Sequence, residues 1–288
     1  MPINIDGPVV FGTSLFHKEK NVTRLSGMQI IFCHQAWRLL RRLLIGLLMI
    51  CGMFPSLVRA EIWHSAPTSG MRDVAIAPNG LIWLTGRDGT VWASDNIYGS
   101  SFTQIGASGF SRVSVGPDNT VWAIGSNGAL WKFVTDSWVE TTANGMEDVA
   151  IAPDGKVWLV GKNGTIWFSD DQGKKFTQIG ANDFSRVSVG PGGVVWAVKS
   201  NGTLWKFAMG SWTKTAAASG IGDVAVAPKG IIWLAGKNGT IWSSPDNGVT
   251  FSQDEEASGI ENIAAGKAGA WAIGLNGKLW RKLFSPQF

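Results

Sequence analysis

Tryptophan recurs along this chain at a regular interval, and that interval constrains the fold more than any other feature. A second tryptophan follows nine residues after each member of a first series. Recurrence every 20 to 50 residues is the signature of a repeat architecture. We therefore expect six copies of one structural unit, numbered 1 to 6 along the chain. The first series is spaced 36 to 39 residues apart and comprises Trp83, Trp122, Trp158, Trp196, Trp233 and Trp271.

Each unit contains four short apolar segments separated by turn residues. In unit 3 these segments are 148–152, 157–160, 165–168 and 176–179, with Pro, Asp, Asn and Gly between them. Segments of this length bounded by turn residues are typical of β-strands, and no helical period occurs after residue 60. Four strands in a repeat of this size make one propeller blade. The sequence predicts an all-β, six-bladed β-propeller of four-stranded blades.

The two ends of the repeat region predict how the ring closes. Unit 6 stops soon after Trp280 and leaves little chain for a fourth strand. The segment 62–65 has the pattern of the fourth strands at 138–141 and 212–215. We expect this N-terminal strand to complete the sixth blade, which would remove free sheet edges that invite aggregation.

Residues 1–60 have the pattern of a leader with a secretory signal peptide. Three arginines precede the apolar run 43–54, and small residues follow up to Ala60. At 12 residues that run is too short to cross a bilayer. Met28 is a plausible true start. Cleavage near Ala60 would leave the propeller, 61–288, with no transmembrane segment, in the periplasm or outside the cell.

Removal of the leader changes the charge balance and the cysteine content. The segment 61–288 has 18 Lys and Arg against 19 Asp and Glu. Nucleic-acid binding is disfavoured because a phosphate-binding surface needs clustered positive charge. Cys33 and Cys51 both belong to the leader, so the mature chain is expected to have no disulfide and no thiolate site. No metal site and no cofactor is predicted.

An Asn-Gly or Asp-Gly pair separates the second and third strands of every unit. Such pairs favour a tight type I′ hairpin. In unit 3 that turn would pair Lys162 with Thr165 and place Trp158 and Trp167 on one face of the sheet. A three-residue loop with a bulge would shift the pairing by one residue. The six polar turn residues are Asp88, Asn127, Asn163, Asn201, Asn238 and Asn276.

The second tryptophan of each unit and the polar turn residue beside it are the candidate ligand-binding residues. Strands of a blade are covered on both faces, so these indoles are first expected to pack between blades. Alternatively, some emerge near the blade ends, where a flat apolar surface beside polar groups suits a sugar ring. The six indoles are Trp92, Trp131, Trp167, Trp205, Trp242 and Trp280.

The first strands carry alternating charges that are predicted to form a ring at the central channel. Opposite charges would lie side by side and set the register between blades. The alternative is an anion or ligand site in the channel mouth, where unit 6 supplies no arginine. The residues, in ring order, are Asp73, Arg112, Asp148, Arg186, Asp223 and Asn262.

Odd and even units differ, which indicates that a module of two units was triplicated. A ligand site could therefore occur three or six times. Odd units carry the segments 169–176 and 244–251, which resemble the Asp-box, with a stretched copy at 94–102. Insertions at Ile97-Tyr98 and 254–256 have no counterpart in the other units.

The block 113–133, repeated with changes at 187–207, resembles the tectonin repeat. The resemblance rests on a valine-rich strand, Val-Trp, Asn-Gly, and an aromatic residue followed by Lys. It spans 61–288, although the odd units depart from it in their Asp-box-like segments. It implies a six-bladed propeller and lectin activity toward bacterial surface polysaccharide or O-methylated sugars bound in clefts between blades.

Three function classes follow from this inventory, and an enzyme is the least favoured. After residue 60 the chain has one histidine, His64, no cysteine, and no cluster with metal-ligand spacing, so no catalytic residue is predicted. A multivalent carbohydrate-binding protein is favoured, because repeated weak sites give avidity on a repetitive glycan. A non-catalytic protein-interaction or assembly scaffold is the alternative. A lectin would repeat one site in successive modules, whereas a scaffold would use one unique patch such as Ile97 and Tyr98.

Overall fold

The computed structural model describes residues 62–284 apart from 107, 181 and 216–218. The predicted leader lies outside these residues. The described chain forms six antiparallel sheets of four strands each, so the predicted six-bladed β-propeller is confirmed. Apart from one short 3-10 turn at Pro191–Gly193, its regular elements are strands. It contains no helix long and apolar enough to span a membrane.

Blades 1 to 3 follow units 1 to 3 of the sequence. Blade 1 comprises β2 (Met71–Ile76), β3 (Ile82–Gly86), β4 (Val91–Ser94) and β5 (Phe102–Gln104). Blade 2 comprises β6 (Phe110–Val115), β7 (Val121–Gly125), β8 (Leu130–Val134) and β9 (Ser137–Glu140). Blade 3 comprises β10 (Met146–Ile151), β11 (Val157–Gly161), β12 (Ile166–Ser169) and β13 (Thr177–Gln178).

Blades 4 to 6 complete the ring. Blade 4 comprises β14 (Phe184–Val189), β15 (Val195–Lys199), β16 (Leu204–Ala208) and β17 (Ser211–Lys214). Blade 5 comprises β18 (Ile221–Val226), β19 (Ile232–Gly236), β20 (Ile241–Ser244) and β21 (Ser252–Asp254). Blade 6 comprises β22 (Ile260–Ala265), β23 (Gly269–Gly274), β24 (Leu279–Leu283) and the N-terminal strand β1 (His64–Ser65).

The N-terminal strand closes the sixth blade as predicted. His64 pairs with Arg281 and Ser65 pairs with Trp280 in antiparallel register. Blade 6 also meets blade 1 directly, since the amide of Met71 donates to the carbonyl of Gly277 at 3.0 Å. The ring is therefore closed by backbone pairing at both positions.

The predicted type I′ register between the second and third strands is wrong. In blade 3, Trp158 lies opposite Phe168 and Leu159 lies opposite Trp167. Trp158 and Trp167 therefore face opposite sides of the sheet, as the three-residue alternative requires. Gly161 and Thr165 close the loop, and Gly164 takes a φ of 78°. This is a type I turn followed by a glycine bulge.

The glycine of that loop is also required by the contact between blades. A Cβ atom on Gly164 would lie 2.6 Å from the backbone nitrogen of Asp183 at the start of the next blade. The close approach lets the amide of Phe184 donate to the carbonyl of Gly164 at 3.1 Å. Equivalent bonds join every blade to the next, from Phe110 to Gly89, Met146 to Gly128, Ile221 to Gly202, Ile260 to Gly239 and Met71 to Gly277.

The core lies between the blades. Five tryptophans of the first series are buried, and Trp83 is half-buried. Each packs among aliphatic side chains of its own sheet and of a neighbouring sheet. The second tryptophan of each blade is half-buried and lies at the margin of these clusters.

Candidate functional site

The structure brings each second tryptophan of blades 1, 3, 4 and 5 together with its predicted polar turn residue. In blade 3 the indole nitrogen of Trp167 donates to Oγ1 of Thr165 at 2.8 Å, and Thr165 donates to Oδ1 of Asn163 at 2.6 Å. The same relay joins Trp92, Thr90 and Asp88, then Trp205, Thr203 and Asn201, then Trp242, Thr240 and Asn238. These indole N–H groups and side-chain oxygens are already bonded within the protein.

Blades 2 and 6 lack this relay because the threonine is replaced. Ala129 stands between Asn127 and Trp131, and Lys278 stands between Asn276 and Trp280. The turn oxygens still accept a backbone N–H two residues on. Within the described residues, the indole nitrogens of Trp131 and Trp280 have no hydrogen-bond partner.

A groove of about 440 Å³ lies beside Trp242 on blade 5. Trp242, Phe251 and Leu234 form its apolar wall, while Asn238 and Lys237 supply polar groups. Both polar residues are exposed, and the amide nitrogen of Asn238 has no partner within the described part of the chain. The groove therefore combines an indole and a phenyl ring with hydrogen-bond donors.

Blades 1 and 3 repeat the residues of this groove. Trp92 and Phe102 pack against one apolar cluster, as do Trp167 and Phe176 in blade 3 and Trp242 and Phe251 in blade 5. The basic residue at the rim is Arg87, Lys162 or Lys237 respectively.

The three basic residues differ in their partners. Lys162 and Lys237 donate to the carbonyls of Ser126 and Ser200 in the preceding blade, at 3.3 and 2.6 Å. Arg87 donates to the equivalent carbonyl, that of Leu275, at 2.9 Å and also forms an exposed ion pair with Glu261 at 2.8 Å. The charge available to a ligand is therefore greater in blades 3 and 5 than in blade 1.

The second tryptophans of blades 2 and 4 have a different environment. Trp131 meets Phe110 edge to face with ring centroids 6.0 Å apart, and Trp205 meets Phe184 in the same way at 6.5 Å. Phe110 and Phe184 begin the first strands of these even blades. The six candidate tryptophans therefore fall into at least two classes, of which the odd-blade class adjoins an Asp-box-like segment.

The alternating charges of the first strands lie together at the central channel. Arg112 pairs with Asp73 at 3.1 Å and approaches Asp148 at 3.9 Å. Arg186 lies 3.7 Å from Asp223 and pairs with Glu147 at 3.3 Å. The side chains of the three aspartates are at most 11% exposed, and only about 150 Å³ of space lies among the first strands.

Each aspartate also accepts a backbone N–H from the next blade. Asp73 accepts from Val113, Asp148 from Val187 and Asp223 from Ile263, at 2.8 to 2.9 Å. Asn262 accepts from Val74 at 3.3 Å, which continues the pattern into blade 1. The ring thus fixes the register between blades by charge and by hydrogen bonding.

Burial shifts the titration of this ring. Desolvation raises the pKa of Asp148 to about 7, against the opposing effect of Arg186 and Arg112. Burial likewise raises the pKa of Asp223. For Arg112, burial works against the charged form, but the nearby carboxylates, Asp73 first, raise its pKa. The ring has three carboxyl groups and two guanidinium groups, and Glu147 adds a further carboxylate beside Arg186.

Sequence reasoning missed two contributors to the odd-blade groove. The first is the phenyl ring of Phe102, Phe176 or Phe251, which in the sequence only ends an Asp-box-like segment. The basic residue immediately before the turn occurs in units 1, 3 and 5 but not in units 2, 4 and 6. That alternation was visible in the sequence and marks the same three blades.

The described residues contain no group of three or more His, Cys, Asp or Glu side chains placed to hold a metal ion.

Several solved structures resemble this chain in fold. YCF48 from Cyanidioschyzon merolae aligns with a TM-score of 0.55 at 17% identity, covering 77% of this chain and 98% of that one. Virginiamycin B lyase from Staphylococcus aureus aligns at 0.56 and 12% identity, with coverage of 77% and 98%.

A putative gluconolactonase aligns with a TM-score of 0.61 at 11% identity, covering 78% of this chain and 92% of that one. At these identities the likeness concerns the fold alone. No curated protein sequence matches the chain. The tectonin domain profile matches residues 71–178 and 152–287, which together span most of the propeller, and the chain therefore belongs to the tectonin domain family.

Proposed function

We propose that this protein is a non-catalytic, multivalent carbohydrate-binding protein that uses the grooves of blades 1, 3 and 5. The groove beside Trp242 carries the proposal. A sugar ring presents C–H groups that pack on an indole and hydroxyls that need donors and acceptors. Trp242 and Phe251 provide the first, and Asn238 and Lys237 provide the second.

Repetition supports a surface ligand with many equivalent units. The three odd blades carry the same Trp, Phe, Asx and basic residue, so one chain would present three weak sites on a rigid ring. Multivalent attachment raises overall affinity when the ligand repeats. Surface glycans, including bacterial polysaccharides and O-methylated sugars, have this property. The proposal includes export by the leader, which would bring the propeller to such surfaces.

A glycan array probed with the full-length chain tests the proposal, followed by calorimetry on any hit. We expect saturable binding with three sites per chain. Replacing Trp92, Trp167 and Trp242 by Phe should remove binding, because Phe offers less stacking area to a sugar ring. The matched control replaces Trp131, Trp205 and Trp280 by Phe, which should keep all three sites. Loss of binding in the control variant, or no binding by the native chain, would contradict the proposal.

A further inference from the structure

A cleft lies beside the first tryptophan of blade 3 and of blade 5, where each meets the following even blade. Between blades 3 and 4 the cleft has a volume of about 420 Å³. Phe168 stacks on Trp158 there with ring centroids 5.5 Å apart, and Phe207 meets the other part of Trp158 at 5.9 Å. Two phenyl rings thus fill most of the space beside the indole.

Between blades 5 and 6 both phenyl positions carry polar residues, and Phe284 and Trp63 contact the indole of Trp233 instead, with ring centroids 5.9 and 6.4 Å away. Ser243 lies opposite Trp233 as Phe168 lies opposite Trp158. Lys282 occupies the strand position of Phe207, since each pairs with the residue before the first tryptophan of its blade. The cleft here measures about 890 Å³, roughly twice the volume of its counterpart.

A buried ion pair lines this larger cleft. Asp254 holds the position of Ile179 in blade 3, immediately after the glutamine that pairs with the second tryptophan. Its carboxylate accepts from Lys282 at 2.5 Å and from the indole nitrogen of Trp63 at 3.0 Å. The Asp254 and Lys282 side chains are 8% and 13% exposed. The position that is apolar in blade 3 is therefore a hydrogen-bonded carboxylate in blade 5. The buried indole nitrogen of Trp233 has no hydrogen-bond partner among the described residues.

The rim of the cleft carries two further lysines. Lys229 stands where blade 3 has Asp154, and Lys267 lies in the turn where blade 4 has Pro191–Gly193. Both lysines are exposed, and neither has an ion-pair partner among the described residues. Glu255 is the other charged rim residue, so the free charge beside the cleft is net positive.

The cleft is continuous with an apolar hollow at the mouth of the central channel. The hollow measures about 640 Å³. Ile97, Lys267, Ala268 and Leu283 line both spaces. We call the continuous surface the seam groove. The hollow itself is lined by the last residues of the six first strands, Ile76, Val115, Ile151, Val189, Val226 and Ala265.

A loop unique to blade 1 borders the seam groove. Ile97 and Tyr98 lie in the connection between β4 and β5 and are 46% and 59% exposed. Arg281 of blade 6 donates a hydrogen bond to the carbonyl of Tyr98, which holds the loop over the closing blade. Exposed apolar side chains grouped in this way mark interaction surfaces.

The chemistry of the seam groove selects among ligand classes. Its aliphatic hollow would leave sugar hydroxyls without partners, which is costly on burial. The adjoining cleft offers Ser243, Ser252 and Gln253 as hydrogen-bonding groups, together with the lysines. A lipid anion could use the hollow and one lysine but has no backbone to engage those polar side chains. A polypeptide segment can use all three.

We propose that the seam groove binds an extended segment of a partner polypeptide. A large apolar side chain of that segment enters the hollow, and an Asp or Glu side chain lies beside Lys229 and Lys267. The seam groove shares no lining residue with the groove beside Trp242, so this activity is independent of glycan binding.

Selection from a phage-displayed library of random dodecapeptides on the full-length chain tests the proposal. We expect enriched peptides that combine one large apolar residue with Asp or Glu. A labelled synthetic copy of an enriched peptide then gives the dissociation constant by fluorescence anisotropy. The double change Lys229→Glu and Lys267→Glu should weaken binding by about tenfold or more, because it reverses the charge complementarity. Lys156→Glu, in the corresponding turn of blade 3, should leave the affinity unchanged.

A second pair of variants separates binding from folding. Ser243→Phe restores the ring found in blade 3 and should fill the cleft, abolishing peptide binding without lowering the midpoint of thermal unfolding. Phe168→Ser, which opens the cleft of blade 3, should leave peptide binding intact. The proposal is wrong if no peptide is enriched, or if binding of enriched peptides survives both the double lysine change and Ser243→Phe. It is equally wrong if dodecanoate or an oligogalacturonate binds this groove and no peptide does.

Discussion

Odd and even blades have the same strand order, but different side chains fill the space between each blade and the next. Where an even blade meets the following odd blade, an Asp-box-like hairpin brings a glycine against the first tryptophan. A Cβ atom on Gly173 or Gly248 would lie 2.7 or 2.4 Å from the ring of Trp122 or Trp196. Ser244 and Asp246 hold the hairpin with hydrogen bonds of 2.5 to 3.1 Å.

Where blade 1 meets blade 2 and blade 3 meets blade 4, aromatic rings fill the space between the sheets. Phe207 lies between Trp158 and Trp212, with centroid distances of 5.9 and 5.1 Å. Phe133 repeats this arrangement with Trp83 and Trp138. The even-to-odd joint should therefore be destabilised most by an added carbon atom at its glycine. The odd-to-even joint should be destabilised most by removal of an aromatic ring.

The largest effect is expected for Gly248→Ala. The added methyl group would overlap a buried indole, and the residue has a φ of 83°, so the free energy of unfolding should fall by about 3 kcal/mol. Gly155→Ala is the matched control, because its φ is 85° and nothing lies within 4 Å of the added carbon. It should cost about 1 kcal/mol. Equal losses by urea unfolding would show that the indole contact does not limit this joint.

A smaller loss is expected for Phe207→Ala at the aromatic joint. The half-buried ring contacts two tryptophans, and its removal should lower the free energy of unfolding by about 2 kcal/mol. The Trp158 fluorescence environment should become more polar. Phe168→Ala tests the same indole from within its own sheet. If a larger side chain, in Phe207→Trp, lowered the free energy of unfolding more than Phe207→Ala does, the two kinds of joint would not differ in this respect.

The charged ring makes the stability of the protein depend on pH through Asp148, which belongs to an odd blade. The pKa of Asp148 is raised to about 7 by burial, whereas in the unfolded chain it is about 4. The folded state then holds the proton more tightly, so this group's effect on stability becomes unfavourable as pH rises from about 4 to 7. Asp148→Asn should flatten that decline and be more stable than the native chain at pH 8 by about 1 kcal/mol. Urea unfolding at pH 5 and pH 8 checks this, and parallel profiles would contradict it.

The smallest effect is expected for Thr165→Ala. The change removes the acceptor of the Trp167 indole and should cost about 0.5 to 1 kcal/mol. Blade 2 already has alanine at this position, Ala129, so Ala129→Thr should recreate the relay and raise stability slightly. If Ala129→Thr does not raise the midpoint of thermal unfolding, the relay stabilises only the blades that already carry it, which are blades 1, 3, 4 and 5.

The repeat spacing predicted most of the fold. Few closed architectures have repeats of this length, and the last unit lacked a fourth strand, which predicted how the ring closes. The type I′ register predicted for the hairpin is wrong, since Asn-Gly alone suits more than one turn. The same register occurs in blades 2 and 6, which have no threonine at the position of Thr165. What these hairpins share is the backbone N–H two residues after the turn residue, which donates to its side-chain oxygen. The tectonin resemblance implied clefts between blades, but no repeat alignment reveals that Ser243 and Lys282 leave a cleft unfilled. That space depends on residues from different blades.

Closure by β1 places a heavy demand on folding order. The first described strand, at His64 and Ser65, pairs with Trp280 and Arg281 in the last described strand. Contacts of such high sequence separation form slowly, because most of the chain must be ordered before they are gained. Until β24 is made and pairs with β1, blade 6 lacks its fourth strand and the ring is open. This pairing is therefore the step that converts a row of sheets into a closed ring.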